Sequence, residues 1–140
     1  MTEHDIALVR DSFRKVNSIA EQAAALFYAR LFELDPSLRH LFHGDMSTQG
    51  RRLMEMLGSV VTALDDQPRV QRSLSELGAR HSGYGVRAEH YATVGAALLW
   101  TLEKGLGPEF SPAVKAAWTL TYSIVADTMM SNARAAASAA

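Results

Sequence analysis

His81 closes an apolar stripe. Leu77, Leu74 and Val70 stand four, seven and eleven residues before it, the spacing of one helical face, so the imidazole points where the leucines point, towards a core. Gln49 repeats the pattern on another segment, with Leu53, Met56 and Val60 four, seven and eleven residues after it. Tyr28 is a third polar residue on an inward face, beside Phe27 and four residues from both Ala24 and Phe32. Each alone has an ordinary explanation: a half-exposed imidazole, a first-turn amide bonded to backbone, a core phenol satisfied by a carbonyl. Together, a histidine and an amide facing inward from separate helices can flank one buried object.

The donors restrict what that object is. One imidazole and an apolar wall are too few ligands for bare zinc or calcium. They suffice for haem iron, whose porphyrin supplies the equatorial nitrogens and needs one proximal histidine. The other histidines compete weakly. His4 lies in a first turn, and His40 and His43 flank Leu41 and Phe42 with no third ligand nearby. His90 opens a helix without the stripe that aims His81. No nucleophile elbow and no glycine-rich phosphate loop after a strand is present, which argues against hydrolase and nucleotide-binding readings.

These residues need a scaffold, and the composition allows an ordinary one. The chain has 140 residues, 48% hydrophobic and 21% charged, enough for one domain with a core that needs no staples. There is no cysteine, which excludes disulfides and thiolate metal sites. Net charge is −1 and no basic patch stands out, so nucleic acid is not an expected partner. The start, MTEHDIALVRDS, has no apolar h-region, and the run YATVGAALLWTL is too short to span a bilayer. A soluble cytoplasmic protein with no membrane partner is expected.

Nearly every segment has helical period and none alternates, which predicts an all-α domain of about seven helices. Thr2 is placed to cap a first helix with the stripe Ile6, Val9, Phe13, Val16. Ser18 to Glu21 reads as a capping box opening a second. Asp35 and Pro36 read as N-cap and first residue of a short helix, and Asp45 or Ser47 caps the next. That helix carries the stripe Leu53, Met56, Leu57, Val60, Leu64, and DDQP at 65–68 ends it. The His81 helix follows and stops at Gly83 and Gly85. A sixth helix carries Tyr91, Val94, Leu98 and Leu102. Ser111-Pro112 opens the last, with Val114, Trp118, Thr121, Val125 and Met129 on one face. The alanine-rich tail 133–140 is expected to fray.

Four stretches, in order, resemble a bacterial single-domain globin similar to the haem domain of flavohaemoglobins. LFYARLFELDPSLRHLF (26–42) resembles the B–C region and MSTQGRRLM (46–54) the start of the E helix. ARHSGYGVRAEHYATVG (79–95) resembles the F–G corner and AAWTLTYSIVAD (116–127) the H helix. The resemblance implies a globin fold of residues 1–140 around one haem b (iron protoporphyrin IX), with His81 as iron ligand. It places the distal tyrosine at Tyr28, the C-helix proline at Pro36 and the distal glutamine at Gln49. Phe42, Leu53, Leu77, Val86, Tyr91, Val94 and Leu98 become haem contacts, and Arg52 or Arg80 candidates for the propionates. O₂, NO and CO are the implied ligands, with Tyr28 and Gln49 donating hydrogen bonds to them, in a monomer or homodimer.

Two departures stand out. The loop between Phe42 and Gln49 is shorter than in many flavohaemoglobin domains, so less chain hangs over the distal side. The place of a late H-helix glutamate that orients the proximal histidine holds Ala133, so the His81 N–H is expected to bond a backbone carbonyl one turn earlier. No flavin domain follows, so NO oxidation would need a separate flavin reductase. Three readings follow: a high-affinity O₂-binding globin, an NO dioxygenase served by that reductase, and a gas sensor or interaction module.

Overall fold

In the computed structural model the backbone is described for residues 1–42, 44–83 and 87–139, and side chains for the same residues less 76–83 and 132–139. The described chain is helical with no strand: α1 (Glu3–Asn17), α2 (Ala20–Leu34), a 3₁₀ segment (Pro36–Leu41), α3 (Met46–Thr62), α4 (Gln67–Gly83), α5 (Ala88–Leu106), a second 3₁₀ turn (Gly107–Glu109) and α6 (Pro112–Ala139).

Short polar side chains set the helix starts. Thr2 and Asp5 form a reciprocal capping box, Thr2 Oγ1 accepting from the Asp5 N–H at 3.1 Å and the Asp5 carboxylate from the Thr2 N–H at 3.0 Å. Asp35 accepts from the Ser37 N–H, with Pro36 first in the 3₁₀ segment, and Asp45 accepts from the Ser47 N–H to open α3. Ser111 accepts from the Val114 N–H at the start of α6. Three expectations change. The Ser18–Glu21 box does not form: Ser18 still has helical backbone angles and ends α1, its hydroxyl donating to the Lys15 carbonyl at 2.6 Å. An N-cap needs extended backbone, so α2 begins after Ile19 without a side-chain cap. The DDQP stretch does not end α3, which stops at Thr62; it opens α4, where the Asp66 carboxylate accepts from the Arg69 N–H. In the tail, the backbone of α6 stays helical through residue 139.

The predicted stripes of α1, α5 and α6 face the core, as do Val70 and Leu74 of α4. Val9, Leu31, Leu74, Leu102 and Trp118 are almost wholly buried. The helix α6 packs on α4 and α1, and α2 packs on α5 and α3. Trp118 ties the chain ends together, its indole N–H donating to Ser12 Oγ at 2.8 Å, while that hydroxyl donates to the Leu8 carbonyl. The stripe on α3 is rotated from the expected one. Gly50, Met54, Val60 and Val61 are its most buried residues, and Gln49, Leu53, Met56 and Leu57 are half-buried. Hydrophobic periodicity passes over glycine, yet Gly50 is where α3 meets α2: a Cβ there would lie 2.9 Å from Ala24 Cβ. The Gln49–Leu53–Leu57 edge is thereby left for the site.

Candidate functional site

The helix α2 presents Tyr28 among aromatic rings. Phe27 meets it edge-on at 5.1 Å and Phe42 edge-on at 5.3 Å, Phe32 stacks at 6.0 Å, and Phe32 and Phe42 touch at 5.6 Å. Phe42 reaches this group because the 3₁₀ segment ends there, its N–H donating to the Arg39 carbonyl. The Tyr28 hydroxyl donates to the main-chain carbonyl of Gln49 at 3.3 Å, so the two predicted distal residues do meet across the α2–α3 seam. The contact uses the Gln49 backbone. Burial pushes the Tyr28 phenol up to about 12, which keeps it protonated and a donor at neutral pH.

One turn along α3, Leu53 and Leu57 join Phe27, Leu98, Leu102 and Trp118 around a wholly apolar void of about 10 Å³, close to one water in size. On α5, Tyr91 and Leu98 are buried and Val94 is half-buried. Tyr91 is held from behind: the Tyr122 hydroxyl on α6 donates to its main-chain carbonyl. Burial raises both phenols, Tyr122 also through its neighbour Tyr91. Gly95 makes this approach possible, since a Cβ there would lie 2.7 Å from the Tyr122 ring. Sequence reasoning did not single out Tyr122 or Gly50, because neither lies on a polar-in-apolar stripe.

His81 stands in the last turn of α4, the helix that buries Val70 and Leu74. Its side chain and those of Leu77, Arg80, Asn132 and Ala133, and all of Val86, lie outside the described residues. His90 is engaged elsewhere, its Nδ1 accepting from the Arg87 N–H at the start of α5. Arg52 is exposed on α3. Among the described residues no three His, Asp or Glu side chains gather as a site for a bare metal ion.

These residues fit a flat apolar group held by a single protein ligand. Tyr28, Phe42, Leu53, Leu57 and Val94 come from four elements, are apolar or neutral, and are only half-covered although they pack against the core. No carboxylate stands among them, and one neutral hydroxyl faces α3.

Known proteins resemble this chain in sequence. The profile of the globin family matches residues 25–129. Over 92% of the chain and 90% of each relative, it is 32% identical to the neuroglobins of Danio rerio and Chaenocephalus aceratus and 30% identical to that of Tetraodon nigroviridis. These relatives are vertebrate neuroglobins, so the kinship holds for the family as a whole, without the narrower likeness to flavohaemoglobin domains. No described helix is long and apolar enough to cross a membrane. With its all-helical fold, its half-covered apolar wall and this match along three quarters of its length, the chain belongs to the globin family, whose members bind small gases on haem.

Proposed function

We propose that this chain is a high-affinity O₂-binding globin that holds haem b through His81 and donates to the bound gas from Tyr28 and Gln49. Haem supplies the iron that takes O₂, NO or CO; the chain supplies the rest. The observation that carries the reading is Tyr28, a protonated phenol inside an aromatic box, aimed at the Gln49 turn of α3. Its bond to the Gln49 carbonyl is long beside the ~2.7–2.8 Å usual for O–H···O, so turning the hydroxyl towards a ligand gives up little. A hydrogen bond to a charged acceptor contributes about 1.5–3 kcal/mol, so two donors slow release by orders of magnitude. Phe42, Leu53, Val94 and Leu98 exclude water from the same space and strengthen those bonds.

The same pair of donors serves NO oxidation with a reductase supplied from outside, in a cytoplasmic monomer or homodimer. Haem titration followed by absorption spectroscopy tests the core of the proposal. One haem per chain is expected, with His81→Ala losing normal haem retention and His90→Ala keeping it. An unchanged haem spectrum in His81→Ala removes the ligand assignment. Tyr28→Phe is expected to speed O₂ dissociation more than any surface substitution, with Gln49→Leu similar or smaller. Equal rates in all three proteins remove the distal donors. Sustained NADH-driven NO consumption by the chain alone would contradict the need for a reductase.

A further inference from the structure

The corner from Phe42 to Asp45 is all that joins the 3₁₀ segment to α3. Beside it, flanked by α1, α2 and α3, lies a solvent-open cleft of about 1050 Å³. Its floor is made of small and apolar residues, among them Ala24, Gly50 and Met54. Tyr28 and Phe32 line it as well, although Tyr28 also bonds the Gln49 turn. The cleft thus touches the ring whose hydroxyl serves the proposed ligand site. Ala25 and Ala29 are exposed on the α2 side, and Met46 stands half-buried at the first turn of α3. Charged side chains also line it, Arg39, Asp45 and Arg51 near the corner and Glu21 and Glu55 further along α2 and α3.

We propose that this cleft is an access route by which small neutral ligands reach the Tyr28–Gln49 site, with the rings of Tyr28 and Phe32 as its inner door. Three features support it. The cleft has ample volume for a diatomic molecule and is lined by those two rings. Its apolar floor holds a dissolved gas at no desolvation cost. A polar tie at the door, the 3.3 Å bond from Tyr28 to the Gln49 carbonyl, is long and gives way by motion of a side chain. The Ala24–Gly50 contact closes the seam beyond Tyr28, so the door stands at the Phe32–Met46 end.

The inference rests on the haem reading above, and its test separates the two. Flash photolysis of the CO complex of the haem-loaded chain gives the bimolecular rebinding rate. Ala25→Trp and Ala29→Trp place a bulky side chain in the cleft from exposed positions that the fold does not need. Each is expected to slow rebinding severalfold with an unchanged CO spectrum, and Phe32→Ala, which widens the door, to accelerate it. Ala96→Trp, exposed on α5 and absent from the cleft lining, serves as the control and is expected to keep the parent rate. Unchanged rebinding in both tryptophan variants, with acceleration in Gln49→Ala alone, overturns the route and assigns passage to the Gln49 side. A chain that takes up haem but gives parent rates fails only the route; a chain that forms no CO spectrum fails the haem reading and the route with it.

Discussion

Two glycines let two pairs of helices approach closely, and they do so against different neighbours. At Gly50, α3 meets α2 through Ala24, whose Cβ is fixed to the backbone. At Gly95, α5 meets α6 through the ring of Tyr122, the movable end of a side chain. The hydrogen bonds beside them differ in the opposite sense. The seam at Gly50 is flanked by the long bond from Tyr28, whereas the seam at Gly95 is flanked by the bond from Tyr122 to the Tyr91 carbonyl. The α2–α3 seam therefore has a rigid crossing and a loose latch, and the α5–α6 seam a cushioned crossing and a firm latch. A site that must admit a ligand on one side while holding its cofactor steady on the other benefits from that division.

The largest effect that can break this contrast is expected from Gly50→Ala. With no side chain able to yield, the two backbones must part, at an overpacking cost of about 1–3 kcal/mol that exceeds the ~1 kcal/mol gained in helix propensity. Urea unfolding measures it, and a neutral or stabilising result would show that the crossing is not tight. Gly95→Ala is expected to destabilise less, because the Tyr122 ring can swing aside at the cost of its hydrogen bond. Its cost should shrink further in the Tyr122→Phe background, and a double-mutant cycle reads that coupling. Equal, additive losses would deny that ring and glycine share one contact.

Tyr122→Phe alone is expected to cost about 1 kcal/mol, the ordinary worth of a buried hydrogen bond whose partner carbonyl keeps its helical bond. Alkaline pH sharpens the comparison. Both phenols are raised from 10.0 by burial, Tyr28 to about 12 and Tyr122 also by Tyr91. Above pH 10 the unfolded chain loses these protons while the folded chain keeps them, so stability is level below that point and falls as pH rises. Tyr122→Phe and Tyr28→Phe should each flatten the fall between pH 10 and 12, measured by circular dichroism. The smallest stability change is expected from Tyr28→Phe at neutral pH, since a 3.3 Å bond is given up. A loss as large as that of Tyr122→Phe would mean that the distal latch is as firm as the other.

How much of this was legible in advance follows from what periodicity measures. Stripes of large apolar residues located α1, α4, α5 and α6, and Thr2, Asp35-Pro36 and Asp45 marked three starts, because caps depend on local chemistry. The box at Ser18 had the right residues in the wrong backbone state, which only the run of α1 decides. Tyr28 and Gln49 were visible as polar residues on apolar faces, and the structure brings them together. What stayed hidden depends on space and not on side-chain type: the tight crossings at Gly50 and Gly95, the Tyr122 latch, and a cleft defined by what does not fill it.

The tie between Trp118 and Ser12 bears on the order in which the molecule is made. It joins positions 106 residues apart in a chain of 140, and α1 packs more extensively on α6 than on any other helix. Contacts so distant in sequence carry a large loop-closure entropy and form late. During synthesis α1 leaves the ribosome with its main docking face bare and waits until α6 has followed. The helix α1 is translated well before α6 and is among the last elements to be stored in place, so its amphipathic face needs protection meanwhile. Trp118 fluorescence, read in a Trp100→Phe background during refolding without haem, would report that final docking.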